Sequence, residues 1–286
     1  MPDLPSISVV IPNYNCSTFI ERTIKSVLDQ NYPMLDLILA DGGSTDGSIE
    51  IAERYRDAFS HIISEPDTGQ ANALNKGFAK ATGEVMGWIN SDDMLMPGGL
   101  SLVGSLFALN AGIDWVTGRM TCLDEDDNIV TNIRPKPISR ARLLAGDYQW
   151  VQQESTYWRR GLWDKAGGHL DESLSLAVDG ELWLRFSRYA NLTSVRAQIG
   201  AFRFRKGQRS ESMQAYHAEM LTAIAREHQL EQPTDDVIRD ILATPVAVRT
   251  RSEAEGRFPG LAEKDPKPID RLKLMKHAVL RRFYGL

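Results

Sequence analysis

The stretch Ile7-Ser8-Val9-Val10-Ile11-Pro12-Asn13-Tyr14-Asn15 decides the fold of this chain. Its first five residues are mostly β-branched, a run typical of strands buried on both faces of a parallel sheet. The run stops at Pro12, and polar residues follow at once. Ligands of open α/β sheets bind beyond the carboxyl ends of the strands. The stretch therefore predicts a central buried strand that carries polar side chains to a binding site.

Strand-like and helix-like segments alternate on both sides of this stretch. Thr18 and Glu21 have the spacing of a capping box ahead of an amphipathic helix. The same patterns predict strands at 35–40, 61–64, 84–89 and 113–121, and helices near 49–55, 70–80, 181–189 and 213–229. Strands that alternate with helices predict right-handed βαβ units, and so an α/β fold with a mostly parallel sheet flanked by helices.

Composition excludes several classes of protein. The 286 residues are 42% hydrophobic and 25% charged, which is the balance of a globular protein and excludes a disordered or collagen-like chain. A net charge of −5 argues against nucleic-acid binding, and no apolar run reaches the length of a membrane span. Residues 1–5 lack a signal-peptide pattern, and Cys16 and Cys122 lack the spacing of a disulfide framework or zinc site. We therefore expect a cytoplasmic protein with reduced thiols.

Three polar clusters directly follow predicted strands, at 13–15, 41–48 and 90–93. Because parallel strands end at the same edge of a sheet, we expect the clusters to converge in space. Each cluster alone is also explained by a turn or a helix cap. Together, with no Walker-type loop, they indicate a nucleotide held by side chains and a divalent ion held by a carboxylate.

Six segments occur in the order found in family-2 glycosyltransferases, at 8–15, 41–48, 75–77, 82–84, 90–93 and 178–185. Over roughly residues 6 to 210 the chain resembles these inverting enzymes, which have the GT-A fold. The resemblance implies a catalytic domain at 1–212, with a nucleotide-binding half (1–121) and an acceptor and base half (122–212). Residues 213–286 are then a helical C-terminal extension.

The resemblance implies a nucleotide site for a nucleoside-diphosphate sugar. Asp41 would accept a hydrogen bond from the base, which favours the imide N–H of a UDP- or TDP-type donor. The other residues implied in nucleotide binding are Pro12, Tyr14, Asn15, Asp67, Gln70, Asn75 and Asp92.

Asp92 and Asp93 resemble the metal motif of the family, with Asp93 as the direct ligand of Mn²⁺ or Mg²⁺. The cation would stabilise the charge that develops on the diphosphate leaving group. Asn90 departs from the pattern, because many members have Asp there.

Asp179 matches the catalytic base, which removes the proton of the acceptor hydroxyl as that oxygen attacks the anomeric carbon. Its position also suits the N-cap of the following helix, and both roles are compatible.

Arg205 stands where members often have a histidine, and we expect Arg203 or Arg205 to neutralise the diphosphate. A basic surface hairpin explains these two arginines equally well. Gln153, Trp158 and Glu181 resemble the acceptor side, although an aromatic residue there also suits the core.

The resulting hypothesis is an inverting glycosyltransferase that transfers a sugar to a saccharide or lipid-linked saccharide in cell-surface polysaccharide synthesis. The alternatives are a sugar nucleotidyltransferase and a non-catalytic nucleotide-sugar-binding homologue. From Lys264 to Leu286 there are seven basic residues against two acidic ones. The amphipathic pattern of 269–286 fits either an anionic membrane surface, at the inner face of the membrane, or the acidic main domain.

Overall fold

The computed structural model describes residues 3–148, 151–231, 233–236 and 238–239, which form a mixed α/β structure. The strands are β1 (Ile7–Asn13), β2 (Leu35–Asp41), β3 (His61–Ser64), β4 (Val85–Trp88), β5 (Met94–Leu95), β6 (Trp115–Thr117), β7 (Met120–Leu123), β8 (Ile129–Ile133), β9 (Thr156–Arg159), β10 (Thr193–Ser194) and β11 (Gly200–Arg203). The helices are α1 (Ile20–Leu28), α2 (Ser48–Glu53), α3 (Gln70–Phe78), α4 (Gly99–Leu109), α5 (Arg140–Leu144), α6 (Arg160–Lys165), α7 (Val178–Phe186) and α8 (Met213–Glu227).

A seven-stranded sheet in the order β10-β6-β9-β4-β1-β2-β3 forms the centre of the structure. Its neighbouring strands are parallel except for β9, which runs antiparallel to β4 and β6. β1 is buried along its whole length, as its sequence predicts. Val10 packs into one hydrophobic core with α3 and α7, whereas Val9 and Ile11 pack into a second core with α1 and α4. Helices therefore cover both faces, and the predicted α/β class is confirmed.

A second sheet in the order β5-β11-β7-β8 lies beside the first. The single strand predicted at 113–121 is wrong, because the chain divides there into β6 of the large sheet and β7 of the small one. The division falls at Gly118 and Arg119, where the Arg119 N–H donates to the carbonyl of Ala197 at 2.7 Å. β11 places Arg203 next to the loop that follows β4, which makes this sheet important for the site below.

The capping box predicted at Thr18 and Glu21 does not form. α1 starts after Phe19, and no side chain caps its first turn. Glu21 instead accepts a hydrogen bond from the Tyr55 hydroxyl at 2.7 Å and pairs with Lys25. The Glu21 carboxylate thus connects α1 to Tyr55, which lies just after α2, and does not cap the N-terminus of α1.

α8 packs against α7 and contributes Met220 and Ile224 to the same core. An ion pair between Arg140 and Glu227, at 3.1 Å, adds a buried polar contact between α5 and α8. The division at 212/213 stays a prediction, and the basic segment 269–286 lies outside the described residues. Within the described part of the chain, no helix has the length and apolar character needed to cross a membrane.

Gly200 of β11 gives a test of this packing. A Cβ atom there would lie 1.9 Å from the carbonyl oxygen of Glu154, which is backbone and has little room to move. We expect Gly200→Ala to lower the free energy of unfolding by about 1–3 kcal/mol or more, the usual cost of overpacking. The matched control is Gly161→Ala at the start of α6, where an added Cβ meets no atom within 4 Å. Equal urea denaturation midpoints for the two variants would contradict the described packing.

Candidate active site

The ends of β1 and β2 are joined by side-chain hydrogen bonds. Asn13 donates from Nδ2 to Asp41 Oδ1 at 2.7 Å and to Ser48 Oγ at 3.0 Å. The Asn15 carboxamide accepts from the backbone of Thr45 at 2.9 Å, in the loop that follows β2. The first two polar clusters therefore converge, as predicted.

Asp41 is only 2% exposed and is surrounded by donors. Its oxygens accept from Asn13, from the Ser44 and Ser64 hydroxyls, and from the backbone of Gly43 and Ser44, at 2.5 to 3.0 Å. A carboxylate offers about four lone-pair sites. A nucleotide base that bonds to Asp41 must therefore replace one of these donors. Tyr14, by contrast, is 67% exposed, whereas Pro12 is buried at the end of β1.

The third cluster joins the first two through α3 and the loop before it. Gln70 donates to Asn90 Oδ1 at 2.6 Å, and Cys16 Sγ donates to the carbonyl of Ser91 at 3.5 Å. Asp67 lies against Gly42, where an added Cβ would be 2.5 Å from its carboxylate. All three predicted clusters therefore meet at one edge of the large sheet.

Asp93 and Glu154 form a buried carboxyl pair. They are 1% and 4% exposed, and a hydrogen bond joins their side chains. Asp93 also accepts from the Arg203 N–H at 2.7 Å and from Asn90 Nδ2 at 2.9 Å. Burial raises the pKa of Asp93 well above its usual range, with the Glu154 charge adding to the effect, and burial raises the pKa of Glu154 to about 7. The pair therefore resists full ionisation, because each carboxylate is poorly solvated and repels the other.

Asp92 is the more accessible carboxylate of this loop, with its side chain 19% exposed. Arg205 donates to Asp92 Oδ2 from Nε at 2.6 Å. Arg203, in contrast, is 1% exposed and donates to the carbonyls of Asp92 and Asp124, at 2.7 and 2.9 Å, and to Asp127. Arg203 therefore holds the loop from inside, and Arg205 is the arginine beside the more accessible carboxylate.

Asp179 lies in the first turn of α7 and is partly exposed. Its Oδ1 accepts from the Gly180 N–H at 2.7 Å and from the Tyr216 hydroxyl at 3.2 Å. Burial raises the pKa of Asp179 to about 6, although these hydrogen bonds oppose the shift. A carboxylate with this pKa is mostly ionised at pH 7 and can accept a proton.

Asp179 is close enough to the buried pair for its charge to raise the pKa of Glu154, and Asp92 acts in the same way. We call Asp92, Asp93, Glu154 and Asp179 the carboxylate cluster. Its members come from the loop after β4, the turn before β9 and the start of α7. The cluster brings together the two aspartates, Asp93 and Asp179, whose roles the sequence predicts separately.

Some predicted site residues have other contacts. Trp158 was expected on the acceptor side, but it is fully buried among the rings of Trp88, Trp163 and Trp183 and presents no surface to an acceptor. Glu181 is paired with Arg185 at 2.8 Å, one helical turn along.

Asn75 bonds to the backbone of Leu170 and to Glu172, so it ties α3 to a loop of the second half. Gln153 does reach the site, since its Oε1 accepts from Asn90 at 3.2 Å.

Sequence reasoning missed Glu154, Arg209 and Tyr216. Glu154 directly follows Gln153, which the sequence analysis did select. An acidic residue at that position was the signal that could have revealed it. Arg209 donates to Gln70 Oε1 at 3.2 Å from a single 3₁₀ turn, Arg209–Glu211, that no sequence pattern predicts. Tyr216 belongs to α8, which the sequence assigns to an extension, so only the packing of α8 on α7 reveals it.

Comparison with known proteins gives matches to glycosyltransferases. Residues 8–103 match the model described as glycosyl transferase family 2. Chondroitin synthase of Escherichia coli is 28% identical over 187 residues, which are 64% of this chain and 27% of that protein. The chain spans only 27% to 39% of the length of the first curated relatives that it matches.

Solved structures share the fold. TarS 1-349 of S. aureus in complex with UDP-GlcNAc has a TM-score of 0.67 at 17% identity, over 97% of this chain and 80% of that chain. The mannosyltransferase PcManGT of Pyrobaculum calidifontis, in complex with GDP-Man and Mn²⁺, has a TM-score of 0.61 at 18% identity, over 100% and 84%. The resemblance to family-2 glycosyltransferases and the predicted GT-A fold are confirmed.

The raised pKa of Glu154 predicts a pH-dependent stability. The folded state binds this proton up to about pH 7, whereas the unfolded chain loses it near the ordinary glutamate pKa of 4.5. The free energy of unfolding therefore falls as pH rises between these values, by about 3 kcal/mol. Glu154→Gln should remove most of this fall, and Glu50→Gln on the exposed face of α2 should leave it unchanged. Urea denaturation at pH 4.5 and pH 8 without divalent cations measures the change in the free energy of unfolding between these pH values. An equal change in the unmodified chain and in both variants would contradict the buried pair.

Proposed function

We propose that this protein is an inverting glycosyltransferase that transfers a sugar from a nucleoside-diphosphate donor to a hydroxyl group of a saccharide or lipid-linked saccharide. The observation that carries the proposal is Asp179, the partly exposed member of the carboxylate cluster whose pKa burial raises to about 6. The match of residues 8–103 to the family-2 model and the GT-A fold support the same reaction.

The chemistry uses Asp179 as the general base. The acceptor oxygen attacks the anomeric carbon while the bond from that carbon to the diphosphate oxygen breaks on the opposite side. The hydroxyl proton passes to Asp179, and the electron pair of the broken bond remains on the nucleoside diphosphate. A single displacement of this kind inverts the anomeric centre, and a positioned base contributes about 10²–10⁴ to the rate.

The donor diphosphate needs positive charge. Arg205 supports this role because its Nη groups make no hydrogen bond to any described residue, so they remain available for phosphate oxygens. Arg203 is committed to the protein interior. We therefore propose Arg205, and not Arg203, as the diphosphate ligand.

A divalent cation, Mn²⁺ or Mg²⁺, fits the same place as a ligand shared between protein and donor. In the described ranges, no group of three or more Asp, Glu, His or Cys side chains could hold a metal ion. Mg²⁺ is commonly held by one or two carboxylates plus substrate phosphates, which this loop can supply. When bound, the cation stabilises charge on the leaving group. The sequence predicts Asp93 as the direct metal ligand, but Asp93 is only 1% exposed. We therefore propose the more accessible Asp92 as the ligand instead.

The donor class is uridine or thymidine diphosphate, and the setting is cell-surface polysaccharide synthesis. TarS was solved with UDP-GlcNAc, and chondroitin synthase is named for a polysaccharide product. PcManGT was solved with GDP-Man, so a guanine base is the competing choice.

Action at the inner face of the membrane, through residues 269–286, stays a prediction. The non-catalytic alternative is favoured by one contact, the pairing of Arg205 with Asp92.

A nucleotide panel tests donor and cation together. We expect UDP or TDP to raise the melting temperature more than GDP, because ligands stabilise the fold in proportion to their affinity and concentration. Mn²⁺ should increase the affinity for the preferred nucleotide about tenfold or more in calorimetry. Asp92→Asn should lose most of this increase, and Asp93→Asn should keep it. The reverse order would assign the cation to Asp93, and no increase in the unmodified protein would favour the non-catalytic homologue.

The base role predicts a specific loss of turnover. Asp179→Asn should lower the rate of donor cleavage by about 10²–10⁴ with little change in nucleotide affinity. Because the base acts when ionised, the rate of the unmodified protein should rise through about pH 6 and then level off. The matched control is Glu181→Gln, which removes a nearby carboxylate that is already paired with Arg185. Release of nucleoside diphosphate measures the rate, and unchanged turnover in Asp179→Asn would reject Asp179 as the base.

A further inference from the structure

The two oxygens of Asp179 have different surroundings. The hydrogen bonds from the Gly180 N–H and from the Tyr216 hydroxyl both end on Oδ1. The backbone N–H of Asp179 itself also bonds to its carboxylate. Among the other described residues, none donates to Oδ2. Since a carboxylate can rotate about its terminal bond, a second fixed donor on Oδ1 restricts which oxygen faces the site.

α8 is fixed against the base by contacts around Tyr216. The Glu219 carboxylate accepts from three successive backbone N–H groups just before α7, those of Ser175, Leu176 and Ala177, at 2.8 to 3.0 Å. A Cβ atom on Gly180 would lie 2.9 Å from the Tyr216 hydroxyl. The glycine thus lets α8 approach the base closely, and Glu219 holds the two helices at that distance.

We propose that Tyr216 is a positioning residue for the general base, one that holds Oδ1 of Asp179 and leaves Oδ2 to accept the proton of the acceptor hydroxyl. This rests on the proposed function, because it assigns Asp179 the role of base. α8 is then part of the catalytic apparatus, although no residue of it need touch the donor.

Tyr216 is suited to this role because it stays protonated. Burial, with the nearby Asp179 charge, raises the pKa of its hydroxyl well above the usual value, so the group remains a donor across the working range. The other titratable groups near the pair are Glu219 and His217 on α8, Tyr148 after α5 and Glu154 before β9. None of these four donates a hydrogen bond to Asp179. A hydrogen bond to the charged form of a carboxylate lowers its pKa, so Tyr216 opposes the effect of burial.

The test measures the Asp179 pKa directly by ¹³C NMR of the carboxyl carbon, in the whole chain without ligand, with assignment by Asp179→Asn. Tyr216→Phe should raise the Asp179 pKa by about one unit, since a hydrogen bond to a charged group is worth about that much. Tyr148→Phe is the matched control. Tyr148 is a buried neighbour whose hydroxyl contacts His217 at 3.0 Å and whose ring lies 6.3 Å from that of Tyr216. The control should leave the pKa unchanged, and an equal pKa in both variants would overturn the proposal.

A measurement on the unmodified chain covers the case in which Tyr216→Phe does not fold. With ¹³Cζ-labelled tyrosine, one tyrosine resonance should shift with the same midpoint as Asp179 and lose that shift in Asp179→Asn. Absence of such a resonance would overturn the proposal.

Turnover separates this proposal from the proposed function. In Tyr216→Phe the pH midpoint of donor cleavage should rise with the Asp179 pKa, and KM for the donor should stay within about twofold. A raised Asp179 pKa in a chain that cleaves no nucleotide sugar of the panel would support the Tyr216 contact and reject the glycosyltransferase. A midpoint that stays in place while the pKa rises would reject the positioning role.

Discussion

The structure depends on holding four carboxyl groups close together at one edge of a parallel sheet. Two of them, Asp93 and Glu154, are buried and share a hydrogen bond. The third, Asp92, is neutralised by Arg205, and the fourth, Asp179, lies in the first turn of α7. The buried pair resists full ionisation because charge is poorly solvated there. The fold thus loses stability at neutral pH where it places Asp179, the proposed proton acceptor, near this pair.

Sequence and fold agree most closely where the chemistry is carried by strand ends. The run that ends in Asn13 and the loop that starts at Asp41 meet because parallel strands of one sheet must end together. The same rule brings Asn90 into contact with Gln70. These contacts were predictable because each strand and the polar residues at its end are recognisable from the local sequence pattern. Parallel pairing then places the strand ends together.

The remaining parts depend on long-range packing that no local pattern encodes. The expected strand is interrupted at Gly118 and Arg119, which divides it into β6 and β7. β7 then belongs to the small sheet that brings Arg203 to Asp93. Trp158 was expected to face an acceptor but is buried in the core. The sequence pattern of an aromatic residue is the same in both positions. Glu154 and Tyr216 enter the site only through the packing of their elements on others. Sequence reasoning thus predicted that the strand-end clusters meet, but it did not predict the buried groups that shift the pKa values there.

Burial raises the pKa of Glu154, and the charges of Asp179 and Asp92 add to this effect. The most direct test is the Glu154 carboxyl resonance followed by ¹³C NMR against pH. The account predicts a Glu154 pKa near 7 in the unmodified chain, with a lower value in Asp179→Asn because a neighbouring negative charge is removed. A Glu154 pKa close to its ordinary value, or one that is identical in both proteins, would contradict the account.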